Sequence, residues 1–151
     1  MAVILIIHSL LRWFVLLFGI LAIIDAIRGI TGNKPYTRRN NRMSLFFMIS
    51  FDIQLLFGMI LYMTNGWFDY LKEGMGTVMK DPIIRFFTIE HALMMLLAWA
   101  LVHISRSAVK RATTDISKHK KSLIFSGLAL LIVLISIPWP FREVGRQLFP
   151  F

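Results

Sequence analysis

The chain has 151 residues, of which 57% are hydrophobic and 17% charged, with a mean hydropathy of +0.69, against roughly a quarter charged in an ordinary soluble domain. One soluble core of this size cannot take in so many apolar side chains, so the composition excludes a water-soluble globule and requires lipid. The net charge of +9 comes from 17 Lys and Arg against 8 Asp and Glu, and the absence of cysteine excludes disulfides, thiolate metal sites and thiol catalysis, leaving His and carboxylate as metal ligands.

Four apolar runs reach the roughly 20 residues that a helix needs to cross a hydrocarbon core. They cover residues 3–27, 43–63, 83–105 and 122–138. The first lacks the basic start and small-residue cleavage pattern of a secretory signal and is expected to be retained. Gly29, Gly32, Asn33 and Pro35 punctuate the first connection, Asn65-Gly66 the second, and Gly74, Gly76 and Pro82 lead into the third run. Short links between lipid-spanning helices predict an all-α, integral-membrane antiparallel four-helix bundle, a single domain over 1–151.

Arg28, Lys34, Arg38, Arg39 and Arg42 fall in the first connection, and Arg106, Lys110, Arg111, Lys118, Lys120 and Lys121 in or beside the third. The middle connection, with Asp69, Lys72, Glu73, Lys80 and Asp81, is nearly neutral. By the positive-inside rule the two basic connections are cytoplasmic and both termini lie outside. Topology thus accounts for the charge without nucleic acid, and the expected partner is the bilayer, with attraction to anionic lipid as a second role. Trp67 and Trp139 sit at span ends like interfacial anchors, whereas Trp13 and Trp99 fall inside spans.

Ionisable residues inside a span are costly and are candidate site residues facing the bundle interior. Here they are His8, Arg12, Asp25, Asp52, Arg85, Glu90, His91 and His103. Asp25, Arg85 and His103, together with His119 in or beside the third connection, are expected to reach the interface and be solvated there. His8 and His91 are different, because the topology places them in one leaflet, about 7 Å and about 12 Å from the outer ends of their runs at 1.5 Å per residue. Neutral imidazoles from two helices at common depth suit the two axial positions of a haem iron. Helical phase puts Gly19 about 20° from His8 and Ala98 about 20° from His91, so both faces carry small residues that admit a macrocycle or a neighbouring helix. His103 lies about 120° from His91, so a second haem has no matched pair. A structural hydrogen bond, a wet cavity, a non-haem metal assisted by Glu90, and cofactor-free proton transfer are the other readings of the same histidines.

Arg12 and Asp52 both fall near the midplane, each about 13 Å in from its own side. A buried Arg needs a carboxylate, so Arg12 is expected to pair with Asp52, or with Glu90 nearer the outside. Gln54 points roughly opposite to Asp52. Arg12, one turn from His8, is alternatively placed to meet a haem propionate or a quinone head group.

His8-Ser9-Leu10-Leu11-Arg12-Trp13, the span with His91, and Pro138-Trp139-Pro140-Phe141-Arg142 resemble the small four-helix bacterial membrane proteins of the cytochrome b-like kind. The resemblance implies a bacterial inner-membrane protein that binds haem b, with His8 and His91 as axial ligands. It also implies electron transfer, with quinone or other membrane redox subunits as partners. The chain departs from two-haem members in carrying only the outer histidine pair. No phosphate loop or nucleophile elbow accompanies these features, so hydrolytic chemistry is not expected. Two rivals are a non-enzymatic accessory or scaffold subunit, and a small proton-coupled transporter relaying through Arg12, Asp52, Glu90 and His91.

Overall fold

Gly and Pro divide the chain, and the apolar runs between them are helices. The computed structural model describes residues 2–149. Helix α1 spans Ala2–Thr31 and α2 Arg38–Thr64; the short α3 (Trp67–Glu73) and α4 (Met75–Lys80) follow. A third long run then begins with α5 (Pro82–Arg85), passes through a π-helical turn (Phe86–Glu90) and continues as α6 (His91–Lys110), before α7 (Asp115–Ser136). Ala2–Thr31, Arg38–Thr64, Pro82–Lys110 and Asp115–Ser136 are each long and apolar enough to cross a membrane, and no strand occurs among the described residues.

The long helices extend beyond their apolar runs because the polar ends are capped. Thr37 N–H donates to Asn40 Oδ1 at 2.8 Å before α2, Thr114 Oγ1 accepts from Ser117 N–H at 3.2 Å before α7, and Asp81 Oδ1 accepts from Ile83 and Ile84 N–H ahead of Pro82. The middle connection, expected to be a polar link, holds two helices instead. They supply Val78, fully buried, and Trp67, which stacks on Phe87 at 5.1 Å.

Side-chain pairs fix how the helices lie against one another. Along α1, His8, Phe18 and Asp25 meet Gln54, Phe46 and Arg39 in turn. Between α2 and the third run the pairs are Tyr62 with Thr88, Asp52 with Trp99, and Asn41 with Arg106. Between α6 and α7, His91 meets Ser136 and Ser105 meets Ser126. Val15, Leu16, Phe47, Phe51, Ala98, Val102, Leu130 and Val133 form the core. Gly19 is small because Phe47 lies on it: an added Cβ would stand 3.0 Å from the Phe47 ring and 3.1 Å from Leu130.

Candidate functional site

His8 leans from α1 onto α2. A Cβ added at Gly58 would lie 3.1 Å from His8 Cε1, so the missing side chain makes the imidazole's place. His8 Nε2 is 3.2 Å from the Gln54 amide, while His8 Nδ1 and Gln54 Oε1 are buried without partners. With the Gln54 N–H donating to Nε2 the neutral ring carries its proton on Nδ1; with the amide turned over, Oε1 accepts from Nε2–H and Nδ1 keeps its lone pair.

His91 comes from the other side of the interior, directly after the π-helical turn. His91 N–H bonds back five residues to the Phe86 carbonyl, and the Thr88 carbonyl in the turn accepts from Tyr62 Oη at 2.9 Å. The His91 Nδ1 is 2.8 Å from the Ser136 carbonyl. A carbonyl only accepts, so Nδ1 carries the proton and Nε2 keeps its lone pair, the orientation that a backbone carbonyl imposes on metal-bound histidines. Asp52–Trp99 and Tyr62–Thr88 bracket both histidines, which puts His8 and His91 in the same stretch of the bundle. His8, His91 and Arg12 lie within electrostatic reach of each other.

The carbonyl that orients His91 is available for a reason written in the sequence. Four residues beyond Ser136 stands Pro140, and four beyond Leu134 stands Pro138; neither has an N–H to return to the helix. His91 takes the Ser136 carbonyl, Trp139 Nε1 donates to the Leu134 carbonyl at 2.8 Å, and Arg142 Nη1 donates to the Ile135 carbonyl at 2.6 Å. The segment after α7 then packs back on the site. Arg142 lies 5.1 Å over Phe86, Arg146 4.9 Å over Phe87, and Phe149 stacks on Trp13 at 5.6 Å. Sequence reasoning missed Ser136 and Arg142 as site residues, although the prolines signalled unpaired carbonyls.

The expected ion pair of Arg12 with Asp52 or Glu90 is not formed; each of the three has another partner. Arg12 Nη2 donates to the Leu148 carbonyl at 2.7 Å, Glu90 accepts from Arg85 at 2.7 Å, and Asp52 Oδ1 accepts from Trp99 Nε1 at 2.7 Å and His103 Nε2 at 2.9 Å. Depth is not the cause, since the α1–α2 pairs put Arg12 and Asp52 at about one level. The cause is azimuth: Phe51 is the residue turned to the core, and Asp52, about 100° further round, faces α6.

Of the residues expected to be solvated at the interface, Arg85 and His103 stay more than a third exposed, whereas Asp25 and His119 are buried. Asp25 is 8% exposed and meets Arg39 at 3.3 Å, and His103 is held by Asp52. His119 is 1% exposed, its Nε2 3.2 Å from the Lys34 carbonyl, in a space that a Cβ on Gly29 would fill.

The small-residue faces expected beside the histidines serve helix packing: Phe47 and Leu130 close Gly19, and Ala98 is fully buried in the core. Among the described residues no three His, Asp or Glu converge as a metal site. The two imidazoles fit a haem iron in kind when the Gln54 amide accepts from His8 Nε2–H, which leaves His8 Nδ1 and His91 Nε2 as the lone pairs. The buried, unpartnered Arg12 Nε lies on the His8 side of the same interior. No family model matches the chain, and no curated protein or solved structure matches it.

Proposed function

We propose that the chain is an integral membrane protein of the bacterial inner membrane, an antiparallel four-helix bundle with both termini outside. It holds one haem b between His8 and His91 in its outer half and acts in electron transfer, with a quinone or another membrane redox subunit as partner. One observation carries this reading: His91 is held by the Ser136 carbonyl with Nε2 open, in the stretch of the bundle where His8 keeps a buried ring nitrogen without a partner.

Haem b, when bound, supplies a reversible one-electron change at its iron. The chain's own residues set the conditions for it. The Ser136 carbonyl fixes the His91 tautomer, Gln54 backs His8, and Arg12 offers a buried positive charge to an acidic substituent. The tail that Arg12 holds packs on α1 through Leu148 and Phe149.

A relay through Arg12, Asp52, Glu90 and His91 would need these groups connected, and each is bonded elsewhere. An accessory subunit is the second reading. It is favoured by the seam where Asp52 and His103 stay 40% and 38% exposed, a polar pair that a neighbouring protein would cover.

The absorption spectrum of the purified protein tests the main reading. A six-coordinate low-spin haem b spectrum is expected, extractable with acid acetone because no cysteine can attach the group covalently. His8→Ala and His91→Ala should abolish it or turn it high-spin, while His103→Ala should keep it. A colourless protein from cells supplied with ample haem overturns this reading in favour of the accessory subunit. Reporter fusions near residues 35 and 115 test the orientation, and an external signal at either overturns it.

A further inference from the structure

At the end of the molecule remote from His8 and His91, the start of α2 and the facing ends of α6 and α7 line a cavity of about 320 Å³ that is open to the surface. Arg38, Lys110 and Lys118 line it together with Tyr36, Thr37 and Asn41, over Val109. At about 30 Å³ per water, this is room for about ten water molecules or a hydrated oxyanion.

We infer that this cavity is a binding site for a phosphate-bearing anion, either the head group of an anionic phospholipid or free phosphate. Three cations from three different helices converge on one space whose lining contains no carboxylate. Asp115 reaches only Lys118, at 3.7 Å. Neighbouring cations are committed elsewhere and hold the walls. Arg39 pairs with Asp25, and Arg106 donates to the Asn41 carbonyl and side chain at 3.1 and 3.3 Å.

The neutral groups are suited to the same ligand. Tyr36 packs on His119 at 5.1 Å and under Lys118 Nζ at 6.0 Å. Burial pushes its phenol above the usual tyrosine value, which keeps it an O–H donor. Thr37 stands at the N-cap of the 27-residue α2, whose N-terminal dipole adds to the attraction for an anion. Phosphate recognition by converging cations, hydroxyls and a helix start is the chemistry of this lining.

The positive-inside rule by itself makes every cation of the basic connections equivalent, whereas a built site does not. The test compares Arg38→Gln/Lys110→Gln/Lys118→Gln with Arg42→Gln/Lys120→Gln/Lys121→Gln, which removes the same charge from outside the cavity. Each full-length protein, in non-ionic detergent, is titrated with phosphatidylglycerol, phosphatidylcholine or inorganic phosphate and read by native mass spectrometry. Wild type is expected to retain phosphatidylglycerol at least fivefold over phosphatidylcholine. The cavity triple should lose at least tenfold in that retention, at about fivefold per cation near an anionic surface, and the control triple less than twofold.

Inorganic phosphate that binds wild type but not the cavity triple, with no preference among lipids, supports the same site with free phosphate as its source. Equal losses in the two triples, or phosphatidylcholine retained as well as phosphatidylglycerol with no phosphate bound, overturn it. If the cavity triple fails to fold, Lys110→Gln and Lys118→Gln singly, read as the same lipid ratio against Lys120→Gln, decide the matter. No readout depends on haem, so this site and the histidine site stand or fall separately.

Discussion

His91 and Ser136 meet where two helices are irregular at once: His91 follows the π-helical turn, and the Ser136 carbonyl lacks a helical donor because Pro140 stands four residues on. Each irregularity is useful only with the other, since the turn sets the direction of the imidazole and the proline frees its acceptor. In protein labelled with 15N-histidine and free of haem, His91 is expected as the Nδ1–H tautomer. An Nε2–H tautomer for His91 in the unaltered protein would contradict the bond.

The partner exchange at the level of Arg12 and Asp52 is measurable as coupling. A double-mutant cycle of Asp52→Asn with His103→Gln should give an interaction energy of about 0.5–3 kcal/mol, whereas Arg12→Gln with Asp52→Asn should add within about 0.5 kcal/mol. Arg12→Gln alone should cost about 1.5–3 kcal/mol through the lost charged hydrogen bond to Leu148. It should also speed proteolysis after Arg142 and Arg146. Strong coupling in the Arg12–Asp52 cycle would restore the ion pair.

Length and hydropathy made the four long helices legible. Partner choice was not legible, because depth is one coordinate and azimuth another. Asp52 and Phe51 differ by a single position, yet one turns to α6 and the other to the core. The π-helical turn was invisible for a similar reason. Its five residues, Phe-Phe-Thr-Ile-Glu, suit an α-helix equally well, and the bond within it that reaches far in sequence, from the Tyr62 hydroxyl to the Thr88 carbonyl, leaves no local pattern. His119 lies in the most basic stretch of the chain and is still among its most buried residues, since Gly29 leaves a space that no local pattern announces.

Two glycines should respond oppositely to the same methyl group. At Gly29 a Cβ would collide with the His119 imidazole, a rigid ring held by the Lys34 carbonyl, so Gly29→Ala should destabilise by about 1–3 kcal/mol. At Gly127, within α7, nothing lies within 4 Å of the added Cβ, so Gly127→Ala should stabilise by about 0.4–1 kcal/mol through the unfolded state and helix propensity. Thermal unfolding in one detergent compares them directly, and a neutral Gly29→Ala would remove His119 from the place assigned to it.

Tyr36 gives the end of the molecule remote from His8 and His91 a pH dependence of known sign. Burial is the main cause that raises its phenol pKa; Asp25 adds to it and Arg106 opposes it. A raised folded value means that the native state holds the proton to higher pH than the unfolded chain. The resulting stability is present below the unfolded value of about 10 and is lost as pH rises through the folded one. Stability measured from pH 9 upward should therefore fall more steeply in wild type than in Tyr36→Phe, the difference opening near pH 10. The variant controls for the lysines, which titrate in both proteins. Parallel curves would mean that the Tyr36 hydroxyl is as well solvated folded as unfolded, and would take away its part as a neutral donor in the basic cavity.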